Sequence, residues 1–81
     1  NPNKKYFKIS PNPFQTEIKI INPDYVYDIY YEIFDLNGRI VKSGISAVNK
    51  SIRIDNIMNG IYFIIIKFDN KIESHRIIKS N

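Results

Sequence analysis

The chain has 81 residues and contains no cysteine and no tryptophan, with only one histidine, one leucine, one alanine and one methionine. Without cysteine there is no disulfide, no thiolate nucleophile and no thiolate zinc site. His75 therefore stands alone, with no partner for a dyad, a triad or a metal centre, and it reads as a polar residue on the solvated side of the last strand. The scarcity of Ala, Leu and Met removes the best helix formers, and no ten-residue stretch has helical periodicity. No apolar run reaches 18 residues, and neither an initiator Met nor a signal peptide is present. The chain thus reads as a piece of a longer protein with no membrane insertion of its own. Lack of cysteine suits a reducing cytoplasm, and equally an exported protein of a bacterium that does without disulfides.

In place of helix formers the chain has 18 Ile, 3 Val and 11 Phe or Tyr. Branching at Cβ and aromatic bulk restrict χ1 in a helix but suit a pleated surface, so this is a strand composition. A chain this short buries only about 60% of its unfolded surface, which leaves room for one domain and one thin core. Ordering it costs on the order of 120 kcal/mol at roughly 1.5 kcal/mol per residue, so nearly every apolar side chain has to contribute. The net charge of +4 is concentrated at Lys4, Lys5 and Lys8, in a first octet without an acid. Such a charge favours weak attraction to anionic surfaces, but no arginine stripe or aromatic-basic module points to nucleic acid.

Seven strands are expected. The first, Tyr6 to Ser10, follows a polar stretch and stops at Ser10-Pro11-Asn12-Pro13, where two prolines fix φ and remove two backbone donors. Glu17 to Asn22 is ended by Pro23-Asp24. A third strand, Ile29 to Asp35, runs into Asp35-Leu36-Asn37-Gly38, which has the residues of a three-residue hairpin loop with a glycine bulge. That loop sets Asp35 against Arg39, Phe34 against Ile40, Ile33 against Val41 and Glu32 against Lys42, matching like with like or with opposite charge. The fourth strand covers Ile40 to Ser43 and ends near Gly44, and the fifth alternates Ile52 and Ile54 with polar residues over Lys50 to Asp55. Asn59-Gly60 introduces the long strand Ile61 to Phe68, apolar everywhere but Lys67 and so expected to be central. A three-residue loop Asp69-Asn70-Lys71, setting Lys67 against Glu73 and Phe63 against Ile77, leads to the last strand, Ile72 to Ile78. Short strands separated by turns, without a crossover helix, predict an all-β, seven-stranded antiparallel β-sandwich, immunoglobulin-like with Greek-key connections; a five-stranded barrel is the alternative.

Chemical constellations are weak. The carboxylates are scattered over turns and strands and give no acid-base pair. Asp35 to Gly38 opens like a calcium loop, yet the later acidic ligands are missing and a hairpin turn accounts for it. Asn49-Lys50-Ser51 fits a glycosylation acceptor, a match expected by chance. No catalytic, metal or cofactor-binding residue is nominated. Tyr25, Tyr27, Tyr30 and Tyr31 could stack on sugars, or could divide between the core and the sheet surface. The strand Ile61 to Phe68 is apolar on both faces, so its outer face is either capped by neighbours and by a loop from Gly44 to Asn49, or left as a docking patch.

Four segments taken together resemble the type A sorting domain of the type IX secretion system of Bacteroidetes. They are Ser10-Pro11-Asn12-Pro13-Phe14, Ile33-Phe34-Asp35-Leu36-Asn37-Gly38-Arg39-Ile40-Val41, Met58-Asn59-Gly60-Ile61-Tyr62-Phe63-Ile64 and Arg76-Ile77-Ile78-Lys79. The resemblance extends from Tyr6 onward, and departs from the family only at Pro23 to Asp28, which is richer in tyrosine. It makes Pro11, Asn12, Pro13, Asp35, Asn37, Gly38, Asn59 and Gly60 the family's motif and turn residues. Richness in Ile, Asn and Lys also suits an AT-rich genome.

The resemblance implies a non-catalytic secretion signal at the C-terminus of an upstream cargo domain, with residues 1-5 the end of a linker and 6-81 the sorting domain. Its implied partners are an outer-membrane translocon and a sortase-like peptidase that removes the domain, the cargo passing through the periplasm to the cell surface or medium. Cleavage is expected in or before Asn1 to Lys5. The expected recognition surface is the terminal strand, with Ile72, Arg76, Ile77, Ile78 and Lys79. The competing reading is a carbohydrate-binding or adhesion module on a secreted enzyme, built on the tyrosines.

Overall fold

The computed structural model describes residues 5–81; apart from Lys5, the expected linker end at residues 1-5 lies outside them. Seven strands form, β1 (Lys8–Ser10), β2 (Glu17–Ile21), β3 (Asp28–Phe34), β4 (Ile40–Ala47), β5 (Ser51–Arg53), β6 (Gly60–Phe68) and β7 (Lys71–Lys79). They make a three-stranded sheet, β1-β2-β5, and a four-stranded sheet, β4-β3-β6-β7, every pair antiparallel. The chain changes sheet after β2, β4 and β5, which gives an immunoglobulin-like sandwich with Greek-key connections. The barrel alternative is thereby set aside, and β6 lies centrally between β3 and β7.

Period-two alternation builds the core, because successive strand side chains point to opposite faces. Ile18 and Ile20 face inward from β2, Ile29, Tyr31 and Ile33 from β3, and Tyr62, Ile64, Ile66 and Phe68 from β6. Each buried Ile or Phe contributes about 1.5–3 kcal/mol through loss of apolar surface to water. A second cluster of rings closes one end: Phe7, Tyr25 and Phe68 meet edge to face, and Tyr6 stacks on Phe68 with centroids 5.2 Å apart.

The β3–β4 loop has the expected three residues, with the Asp35 N–H donating to the Arg39 carbonyl at 2.9 Å and Phe34 opposite Ile40. A bulge between Ile33 and Phe34 then shifts the register, so that Ile33 faces Lys42 and Glu32 faces Ser43 rather than Val41 and Lys42. The expected Glu32–Lys42 pair is replaced by one across the other neighbour, Lys67 Nζ to Glu32 Oε1 at 3.1 Å. Strand β4 also continues past Gly44 to Ala47, because this glycine lies opposite Tyr31, where a Cβ would come within 3.4 Å of the phenolic oxygen. A strand glycine here makes room for a neighbouring ring instead of ending the strand. No loop from Gly44 to Asn49 is therefore free to cap the outer face.

The β6–β7 loop is shorter than expected. Asp69 and Asn70 both have positive φ, 46° and 61°, and Phe68 pairs with Lys71. Two left-handed residues make the tight turn whose twist matches antiparallel strands, and Asp and Asn tolerate that conformation. As a result Lys67 faces Ile72 and Phe63 faces Arg76.

Candidate recognition surface

The terminal strand β7 lies at an edge of its sheet, where unpaired N–H and C=O groups invite association with another chain. Here the segment Lys5–Phe14 covers that edge. The Asn12 side-chain Nδ2 donates to the Arg76 carbonyl at 2.9 Å, and its Oδ1 accepts from the Ile78 N–H at 3.0 Å. One carboxamide thus substitutes for the donor and acceptor of a backbone neighbour. Two residues later the backbone itself takes over: Phe14 N–H donates to the Ile78 carbonyl at 2.8 Å and Ser80 N–H donates to the Phe14 carbonyl at 2.9 Å. The fully buried Phe14 ring anchors this contact in the core, while Pro11 and Pro13 stay exposed.

At the other end of β7, Glu73 Oε1 accepts from the Tyr6 N–H at 2.6 Å and Oε2 from the Phe7 N–H at 3.0 Å. His75 Nε2 lies 2.6 Å from the same Oε2, and Lys5 Nζ donates to the Ser74 carbonyl at 2.7 Å. Burial alone would push the Glu73 carboxyl up, but the bond to His75 and the two backbone N–H groups outweigh it and leave the pKa below the ordinary value. His75 is thus not on the solvated side: its side chain is 15% exposed and paired with a carboxylate of 9% exposure. The period of two could have shown this, since Glu73 and His75 share a face with the buried Ile77.

The remaining motif residues shape the end of the sheet towards which β7 runs, where Gly60 lies opposite Lys79. Asp35 Oδ1 accepts from the N–H groups of Asn37 and Arg39 at 2.9 and 3.0 Å, and Gly38 at φ 82° closes the loop. The backbone N–H of Arg39, foremost among these bonds, holds the Asp35 carboxyl below its usual range. Asn59 is exposed and leads into Gly60, whose φ of 150° suits a residue without Cβ. The Tyr62 hydroxyl then donates to the Met58 carbonyl at 2.6 Å, as in the tyrosine corner of immunoglobulin-like sandwiches.

Of the residues expected on the recognition surface, Ile72 is 70% exposed and Arg76 is exposed on the outer face of the four-stranded sheet. Ile78 lies half-buried on the same face opposite Ile61. Ile77 is fully buried and Lys79 half-buried, so these two support the strand from the inner side. The docking patch expected on the outer face of the strand Ile61 to Phe68 adjoins Arg76 and Ile78, and Phe34 and Ile40 extend it beyond what the sequence indicates. Ile40, Phe34, Phe63 and Arg76 stand side by side across all four strands, with Ile40 51%, Phe63 41% and Ile61 38% exposed. The alternation in Ile61 to Lys67 carried the signal for Ile61 and Phe63. By contrast, Tyr30 and Tyr31 point to opposite faces, Tyr25 is buried, and Lys67 Nζ lies over the Tyr30 ring at 5.5 Å. The tyrosines therefore form no continuous stacking platform.

Among the described residues, no group of three His, Asp or Glu side chains is placed to hold a metal ion. A family described as secretion system C-terminal sorting domain matches residues 1–80 of the chain. The comparison with curated proteins found no match.

Proposed function

The chain belongs to the family of type IX secretion C-terminal sorting domains, and we propose that it directs an upstream cargo domain to the outer-membrane secretion machinery through the outer face of β6 and β7. Membership implies export to the cell surface or the extracellular space. The family is in general one of signals, not of catalysts, and in this reading the domain is the substrate of a sortase-like peptidase that detaches it after passage through the periplasm. The alternative, a sugar-binding module, finds no support in the divided tyrosines.

The observation that carries the reading is the covered edge of β7 from Ser74 to Ile78, four of whose backbone groups are taken up by the segment Lys5–Phe14. With Asn12 and Phe14 occupying its backbone groups, the terminal strand presents side chains, Ile72, Arg76 and Ile78, beside Ile61 and Phe63 of β6. An uncovered apolar face rimmed by a cation is a surface that a partner can read whatever the cargo. To test it, residues 1–81 are fused to a fluorescent reporter with an export signal in a bacterium that has the type IX system. The fusion is expected at the surface or in the medium. Retention in the periplasm, while a resident cargo is exported normally, contradicts the proposal.

A further inference from the structure

The Glu73 carboxylate holds two consecutive backbone N–H groups, those of Tyr6 and Phe7, from the stretch just ahead of β1, more than sixty residues away in sequence. Its side chain is only 9% exposed, and the imidazole of His75 lies against it. A nearly buried carboxylate satisfied by three donors is a strong fastening, because charge-assisted hydrogen bonds exceed neutral ones and an unsatisfied buried charge is costly. On the aromatic side the same stretch is held by Tyr6 on Phe68 and by Phe7 against Tyr25. Lys5 Nζ adds a bond to the Ser74 carbonyl.

Peptidases bind their substrates as extended chain, with the backbone around the scissile bond free of other partners, so cleavage inside a fastened stretch requires local opening first. The Lys5–Tyr6 peptide bond is the one whose N–H is held by Glu73 Oε1. We infer that Glu73 is a clasp that sets the downstream limit of proteolytic processing, so that cleavage falls upstream of the Lys5–Tyr6 bond and the domain is released with Tyr6 and Phe7 still attached. This deepens the reading of the chain as a detachable sorting domain and rests on it for its biological setting. The clasp itself is tested without any secretion machinery, so that its failure and that of the sorting assignment are separable.

The Lys5–Tyr6 bond is also a tryptic site, which supplies the probe. A folded reporter is placed ahead of Asn1, the fusion is treated with trypsin under native conditions, and the domain fragment is weighed by mass spectrometry. In the wild type, fragments beginning at Tyr6 accumulate slowly. In Glu73→Ala their rate of appearance rises about tenfold or more, as loss of bonds to a charged acceptor implies. Amide hydrogen exchange is read in parallel. Protection of the Tyr6 and Phe7 amides falls by a similar factor in the variant, whereas the Ile64 and Ile66 amides in the centre of β6 keep theirs. If Glu73→Ala loosens β6 as well, Glu73→Gln decides, because its single carbonyl oxygen sustains one of the two amides and exposes the other. Unchanged Tyr6 and Phe7 exchange in a folded variant overturns the inference. So does wild-type cleavage at Lys5–Tyr6 as fast as in the variant.

Discussion

β7 and β4 flank the same four-stranded sheet and are similar in length, nine residues against eight. Along β7 every few residues meet a partner from the segment Lys5–Phe14: Glu73 and Ser74 at one end, Arg76 and Ile78 at the other. Along β4, among the described residues, no other element hydrogen-bonds to the outer edge, and Ile40 and Ile45 stand 51% and 74% exposed. The difference shows what the Pro-Asn-Pro-Phe motif is for in this fold. It covers the backbone edge of the last strand and leaves the side chains of its outer face exposed. The open edge of β4 is left with only Lys42 as a charge within the strand, the kind of sparse protection natural sheets use at edges.

The comparison breaks most severely at Phe14. Replacing this fully buried ring by alanine should cost about 3–5 kcal/mol, as large-to-small changes in cores do, and equilibrium denaturation measures it. The loss should fall on β7, seen as faster exchange of the Ile78 and Ser80 amides. Asn12→Ala removes two hydrogen bonds at an exposed position and should cost about 1–2 kcal/mol. Asn12→Asp keeps the acceptor for Ile78 but sets a carboxylate oxygen against the Arg76 carbonyl, so it should lose at least as much as Asn12→Ala, and a smaller loss there speaks against the amide acting as a strand surrogate.

A smaller and more local effect is expected from acid. Folding lowers the Glu73 pKa below the ordinary glutamate value of about 4.3. A lowered carboxyl pKa means that the native state binds the proton less readily than the unfolded chain, so its contribution is complete above the ordinary value and is lost as the pH falls through the lower folded one. The groups facing this carboxylate are His75 on β7 and the Lys5–Phe7 stretch. Amide exchange at Tyr6 and Phe7, corrected for the intrinsic pH dependence of exchange, should therefore lose protection as the pH falls below the ordinary glutamate range. Ile45→Lys, on the open edge, should change stability by no more than about 0.5 kcal/mol. A larger change in a thermal melt there indicates that the β4 edge is not free.

The legible part of this fold was whatever depends on period and punctuation. Seven strands, the central position of β6 and the three-residue loop at Asp35 follow from Ile alternation and from Gly, Pro and Asn at turns. What stayed hidden depends on partners distant in sequence. Gly44 reads as a strand end until Tyr31 is placed opposite it, and Asp69-Asn70 could close a loop of two residues or of three until their backbone angles are known. Asn12 and Glu73 carry no local sign of their roles, because each bonds to a segment more than sixty residues away. The last strand was identifiable as a candidate surface, and its period of two separates Ile72, Arg76 and Ile78 from Ile77, but which of the two faces is buried follows from how the sheets pack.

The most direct test compares export of two reporter fusions that retain the wild-type melting behaviour: one with Phe63→Lys and Arg76→Glu on the outer face of β6 and β7, the other with Ile45→Lys on β4. The account predicts that the first stays in the periplasm, at the level of a reporter without the domain, and that the second reaches the surface like the wild type. Export of the first fusion at wild-type level, or retention of the second alone, contradicts it.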